Sequence, residues 1–131
     1  MTMSLVLDTS ILIELERNNP VVLRKLHALS ERYPGQPRTT ILNIYELLLG
    51  FEERIIKRKE DIYFLEHFHI LNTTKQTAFI LAKLKVKYYS KGLSLPFSDI
   101  FAAALAIENQ GILVTTDKDF ERIEELETIL L

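Results

Sequence analysis

Cysteine is absent from the 131-residue chain, which excludes disulfides, thiolate zinc sites and a thiol nucleophile and fits a reducing compartment. A charge imbalance is missing as well: 16 Lys and Arg stand against 18 Asp and Glu, a net charge of −2. No overall basic field announces nucleic acid, so any such binding must rest on a local patch. Long apolar runs are also lacking. The longest, such as Ile100 to Ile107, fall well short of the roughly 20 residues needed to span a bilayer. No basic leader with an apolar core and small-residue cleavage site opens the chain. The expectation is a soluble, cytoplasmic protein with no membrane partner. With 47% hydrophobic residues, residues 1–131 are read as a single domain, long enough for one proper core and too short for two of ordinary size.

What is present is organised around Leu5-Val6-Leu7-Asp8-Thr9-Ser10-Ile11-Leu12, where an apolar strand-like run ends in a carboxylate, two hydroxyls and a new run of helical spacing. Ile11, Leu12 and Leu15 predict a short helix that Asn18-Asn19-Pro20 breaks. Pro20 is placed to open a second helix, with Val22, Leu23, Leu26 and Leu29 on one face, running to about Arg32. Tyr33-Pro34-Gly35-Gln36-Pro37 reads as a turn. Arg38 to Ile41 is a second strand, followed by a helix from about Leu42 to Lys57 and a further helical piece from Glu60 to Glu66. Phe68 to Leu71 is a third strand, and Asn72-Thr73-Thr74 a helix-start signal. Lys75 to Lys91 is helical, with Gly92 as a stop. Pro96 precedes Ile100 to Ile107, apolar on every side and therefore buried, which Gly111 ends. Ile112 to Val114 is a fourth strand, Thr115 to Phe120 a loop leading to a short helix, and Thr128 to Leu130 a fifth strand at the edge. The alternation predicts an α/β fold: a three-layer α/β/α sandwich around a mainly parallel sheet of four or five strands.

Four carboxylates fall at comparable junctions. Asp8 follows the first strand, Glu46 lies in the first turns of the helix after the second, Asp99 starts the all-apolar helix, and Asp117 follows the fourth strand. Open parallel sheets place ligands at these carboxyl ends. Each acid also has an ordinary structural explanation. Asp8 or Ser10 would cap the next helix, Asn43 and Glu46 would form a capping box, Asp99 suits a helix dipole and Asp117 an Asx turn. Drawn into one cleft without matching Lys or Arg, four carboxylates repel one another unless divalent cations neutralise them. Oxygen-only ligands select hard ions, so Mg²⁺ or Mn²⁺ is expected rather than zinc. The three histidines, His27, His67 and His69, lie away from these junctions. Metal pairs about 4 Å apart activate water and stabilise the leaving oxygen in phosphodiester cleavage, so the expected chemistry is that of a nuclease.

Four blocks sharpen this expectation: Leu7-Asp8-Thr9-Ser10 with Ile13-Glu14, Tyr45-Glu46-Leu47 with Gly50, Ser98-Asp99-Ile100 with Ala102-Ala103 and Ala106, and Val114 through Phe120. In order and over nearly the whole chain they resemble the blocks of PIN domains, in particular the VapC-type toxin ribonucleases of toxin–antitoxin pairs. The resemblance implies that Asp8, Glu46, Asp99 and Asp117 form an acidic metal site, Asp8 and Asp99 as direct ligands and Glu46 and Asp117 through water. It implies that Thr9 or Ser10 orients Asp8 or binds a scissile phosphate, and that Thr115 supports the same cleft. Many family members carry Asn or Arg inside the last block, where this chain has Thr116-Asp117-Lys118-Asp119. Either Asp117 or Asp119 is then the residue that faces the metal, and Asp117 is preferred because it follows Thr115 by two residues. The implied activity is hydrolysis of RNA phosphodiesters by metal-activated water, leaving 5′-phosphate and 3′-hydroxyl ends. The implied partners are an RNA substrate, a small antitoxin protein and a second copy in a homodimer.

Lys118 beside the site is a candidate phosphate contact. Lys83, Lys87 and Lys91, with Tyr88 and Tyr89, form a candidate backbone-binding face, for which a solvated helix face is the simpler reading. Lys57-Arg58-Lys59 would complement a helix dipole. Leu48, Leu49, Phe51 and Ile55 give one helix more apolar surface than a single core face needs, which points to an interface. Rival readings remain within the fold: an RNA-processing nuclease outside a toxin pair, or a non-catalytic RNA-binding or scaffold protein. A phosphoacceptor domain would want an acidic doublet after the first strand, and an aspartyl phosphohydrolase a second Asp where Ser10 stands.

Overall fold

The computed structural model describes residues 3–53 and 65–131. Its elements run β1 (Leu5–Leu7), α1 (Thr9–Glu16), α2 (Pro20–Arg32), β2 (Arg38–Thr40), α3 (Ile41–Glu53), β3 (His69–Leu71), α4 (Lys75–Ser90), α5 (Phe97–Glu108), β4 (Ile112–Thr115), a 3₁₀ turn (Lys118–Arg122) and β5 (Glu127–Leu130). The five strands form one sheet in the order β3-β2-β1-β4-β5. Every pairing is parallel, as strand–helix alternation requires. β1 at the centre pairs Leu5, Val6 and Leu7 with Ile112, Leu113 and Val114.

Alternation along these two strands builds the three layers. Val6 and Leu113 face a core shared with Leu84, Tyr88 and the buried stretch Ile100–Ala106. Leu5, Leu7, Ile112 and Val114 face a second core made with Ile11, Leu12, Val22, Leu47 and Phe51. Successive strand side chains point to opposite faces, so a strand buried on both sides reads as the unbroken apolar run seen in the sequence.

The local signals act largely as expected. Asn19 caps α2, its Oδ1 accepting from the N–H groups of Val21 and Val22, with Pro20 in the first turn. Thr74 and Thr77 cap α4 reciprocally. Gly92 ends α4 at φ +81°. Some boundaries differ. β2 stops at Thr40 and α3 begins at Ile41 with no intervening loop, whereas Ile41 reads from sequence as part of the strand. β3 starts at His69 rather than Phe68, and α5 starts three residues before its apolar run. The last short helix is a 3₁₀ turn. The end of the third helix with Ile55 and Lys57-Arg58-Lys59, and most of the Glu60–Glu66 piece, lie outside the described residues. No helix among the described residues is long and apolar enough to cross a membrane.

Candidate active site

Asp8 sits at the carboxyl end of β1, 5% exposed. Its Oδ1 accepts from Ser10 Oγ at 2.6 Å and from the Ile11 N–H at 3.3 Å, and its Oδ2 accepts from Thr115 Oγ1 at 2.6 Å. The capping explanation therefore holds: Asp8 caps α1, and a hydroxyl at the end of β4 fixes its other oxygen. Burial raises its pKa, against the lowering pull of the Ser10, Thr115 and backbone hydrogen bonds.

Glu46 faces Asp8's neighbours from the second turn of α3. Its Oε1 accepts from Thr9 Oγ1 at 2.6 Å and its Oε2 from Ser98 Oγ at 3.1 Å. Behind it lies a relay of side chains. Thr40 Oγ1 donates to Asn43 Oδ1 at 2.7 Å, Asn43 Nδ2 donates to Thr9 Oγ1 at 3.0 Å, and the Thr9 hydroxyl in turn donates to Glu46. Asn43, 1% exposed, thus spends its amide on Thr9 and Thr40. This replaces the expected Asn43–Glu46 capping box, because α3 starts directly from a strand and leaves Asn43 facing inward.

Asp99 occupies the first turn of α5, half-buried. Its pKa is pushed up to about 6, first by burial and then by the charges of Asp8, Glu46, Asp117 and Asp119. The leading charged neighbours of Asp99 are thus four carboxylates, the three acids expected with it and one more. No donor among the described residues hydrogen-bonds its carboxyl. Asp117, half-buried, caps the 3₁₀ turn by accepting the Asp119 N–H at 2.9 Å, which is the Asx-turn arrangement. Its own N–H donates to Thr115 Oγ1 at 3.0 Å, and the Thr116 N–H donates to Ser10 Oγ at 3.1 Å. Asp117 acts on Asp99 more strongly than the exposed Asp119 does.

The donor set is all oxygen and dominated by carboxylates. Among the described residues, no three His, Asp or Glu side chains converge as a ready-made ligand set. Mg²⁺ commonly binds through one or two carboxylates and retains several waters, so the arrangement fits a hydrated hard cation better than a closed protein cage.

The family model describing the PIN domain matches residues 5–126. The chain belongs to the PIN-domain family. Ribonuclease VapC of Rickettsia bellii is 31% identical to it over 134 residues, spanning 97% of this chain and 96% of that protein. Ribonuclease VapC1 of Rickettsia felis is 30% identical with the same coverage. A crystal structure of VapBC2 from Rickettsia felis, bound to a DNA fragment from its promoter, has the same fold, with a TM-score of 0.80 over 98% of each chain at 21% identity.

Several expectations need revision in this PIN domain. Of the two hydroxyls offered for orienting Asp8, it is Ser10 that does so, together with Thr115 and the Ile11 N–H, while Thr9 hydrogen-bonds Glu46. Asn43 and Ser98 brace the site, Ser98 as part of a family block and Asn43 only as a capping partner in the sequence reading. Lys118 is exposed at the start of the 3₁₀ turn. The Lys83-Lys87-Lys91 face is not a free basic stripe. Lys87 Nζ lies 3.4 and 3.3 Å from Glu124 and Glu125, and Lys91 Nζ lies 3.9 Å from Glu124. Phe51 is a core residue, whereas Leu48 and Leu49 are exposed. His27 and His67 line an apolar cavity of about 410 Å³ at the amino ends of β1 to β3, away from the acids.

Proposed function

We propose that this PIN domain is a Mg²⁺- or Mn²⁺-dependent endoribonuclease, the toxin of a type II toxin–antitoxin pair, acting in the cytoplasm as a homodimer restrained by a small antitoxin. RNA is the proposed substrate because the curated relatives are named ribonucleases. An antitoxin partner is proposed because similar solved chains come from VapBC complexes. The observation that supports a hydrolytic centre is the placing of acids at one edge of the sheet: Asp8 ends β1, Glu46 is tied to Thr9 and Ser98, and Asp99, its carboxyl pushed up first by burial and then by four carboxylates, has no cation among its leading neighbours.

Asp8 and Asp99 would hold the ion directly, and Glu46 and Asp117 through water. A bound divalent cation supplies an activated water and charge to offset that developing on the phosphate. The protein's residues provide the geometry. Ser10 and Thr115 fix both Asp8 oxygens. Thr9 and Ser98 fix the Glu46 carboxylate so that an oxygen is held ready to accept a proton from the attacking water. Lys118 is the nearby cation proposed to meet the phosphate backbone.

The test is cleavage of a pool of structured RNAs by purified protein in Mg²⁺, in Mn²⁺ and in EDTA, beside Asp8→Asn. Cuts that need metal and are absent from Asp8→Asn are expected. Binding of RNA without cleavage in either metal would contradict the nuclease and favour the scaffold reading.

A further inference from the structure

A groove of about 320 Å³ runs between α4 and the start of α5, and Leu81, Lys85, Tyr89, Leu95, Phe97 and Ile100 are among the residues that line it. We propose that this groove takes an unstacked base of the RNA strand, with Phe97 and Tyr89 as stacking surfaces and Lys85 as the contact to the adjoining phosphate. The proposal rests on the ribonuclease reading above and names the part of the molecule that positions its substrate.

The first argument is place. Phe97 is the first residue of α5, directly before Ser98, whose hydroxyl holds Glu46, and two before Asp99. The groove and the acids therefore share the amino-terminal end of α5.

The second is surface chemistry. Phe97 is 61% exposed and Tyr89 45%, a large apolar area left in water at the edge of a charged site. Phe97 contacts Phe101 only in a tilted arrangement, centroids 6.0 Å apart, which leaves ring surface open. Single-stranded nucleic acid is held by such stacking surfaces together with cations that follow the backbone.

The third is charge. Lys85 Nζ lies 5.1 Å from the Tyr89 ring centroid and has no carboxylate partner among the described residues. Lys87 and Lys91, two and six residues further along, are engaged by Glu124 and Glu125. Of the lysines on this stretch of α4, Lys85 is thus the one that points at the groove with its charge unspent. The remaining walls, made by Leu81, Leu95, Ile100 and two alanines, offer no side-chain donors or acceptors to read a base edge. Holding should therefore tolerate any base that stacks.

The test compares wild type, Phe97→Leu, Phe97→Tyr and Lys85→Gln by anisotropy titration of labelled oligouridylate and oligoadenylate in Ca²⁺, with sedimentation to follow oligomeric state and with cleavage kinetics in Mg²⁺. Phe97→Leu, apolar but not aromatic, is expected to weaken binding about tenfold and raise KM with little change in kcat. Phe97→Tyr should bind as wild type, and Lys85→Gln should bind more weakly with a shallower salt dependence. Unchanged affinity in Phe97→Leu would overturn the proposal. So would a change in its oligomeric state, which would make the groove a contact between copies of the chain. Wild-type binding that depends on Phe97 without any cleavage would leave the groove standing and sink the nuclease instead.

Discussion

Asp99 holds a half-buried carboxyl that no donor among the described residues braces, and its leading charged neighbours are other carboxylates. Its folded-state pKa, about 6, lies above the ordinary 3.8. A raised carboxyl favours the folded state most below its unfolded pKa, where it is protonated in both states, and that stability is lost as pH rises through the folded value. The metal-free protein should therefore lose stability between about pH 3.8 and 6 on this residue's account. Asp99→Asn removes a charge that burial first, and then the neighbouring carboxylates, disfavour. In EDTA at pH 8 it is expected to be more stable by about 1–3 kcal/mol, a rise of about 3 °C or more in Tm, with the gap narrowing toward pH 4. An equal or lower Tm at pH 8 would show that the carboxylates do not repel as their positions imply. Asn43 offers a second test. Asn43→Asp keeps the shape but cannot donate to Thr9, leaving a charge in a buried relay, and should cost about 2 kcal/mol or more by chemical denaturation. The four acids were legible in the sequence because strand-end carboxylates recur at one edge of a parallel sheet. The relay was not, because Thr9 and Glu46 are 37 residues apart and an Asn three residues before a Glu looks the same in a capping box.

At the scale of elements, the site depends on how tightly two junctions close. Thr40 ends β2 and Ile41 begins α3, so the strand delivers Asn43 and Glu46 into the site within two helical turns. Sequence periodicity did not resolve this junction, since Ile41 continues a β-branched run while its backbone has already turned helical. The other junction is α5 to β4. Gly111 reads from sequence as the helix stop, yet the residue in the left-handed region is Gln110, at φ 53°. Gly111 serves close approach instead: a Cβ there would stand 2.7 Å from Val6 Cγ2 and 3.2 Å from the Ser4 carbonyl. Gly111→Ala must push β1 away from β4 and should destabilise by about 1–3 kcal/mol. Because β1 carries Asp8, and α5 carries Asp99, cleavage should fall along with stability. A thermal melt matching wild type would show that the central strands have room the packing does not suggest.

For the whole molecule, the order β3-β2-β1-β4-β5 puts the ends of β1, β2 and β4 side by side, and three helices start from that edge or next to it. That much follows from alternation and from right-handed crossovers. Of the apolar faces left over, Leu48 and Leu49 follow from the excess of apolar residues on α3 that the sequence shows, whereas Phe97 and Tyr89 follow from no such pattern, because their exposure is decided only when the layers pack. The central claim is that the carboxylates which repel one another in the metal-free fold do so in the service of metal-dependent hydrolysis. Its most direct test is RNA cleavage by Asp99→Asn in Mn²⁺, on the same preparation whose melting temperature has been measured. A variant that melts higher than wild type and cleaves at least a hundredfold more slowly is predicted. A more stable variant that still cleaves at the wild-type rate would contradict the claim and place the chemistry elsewhere in the fold.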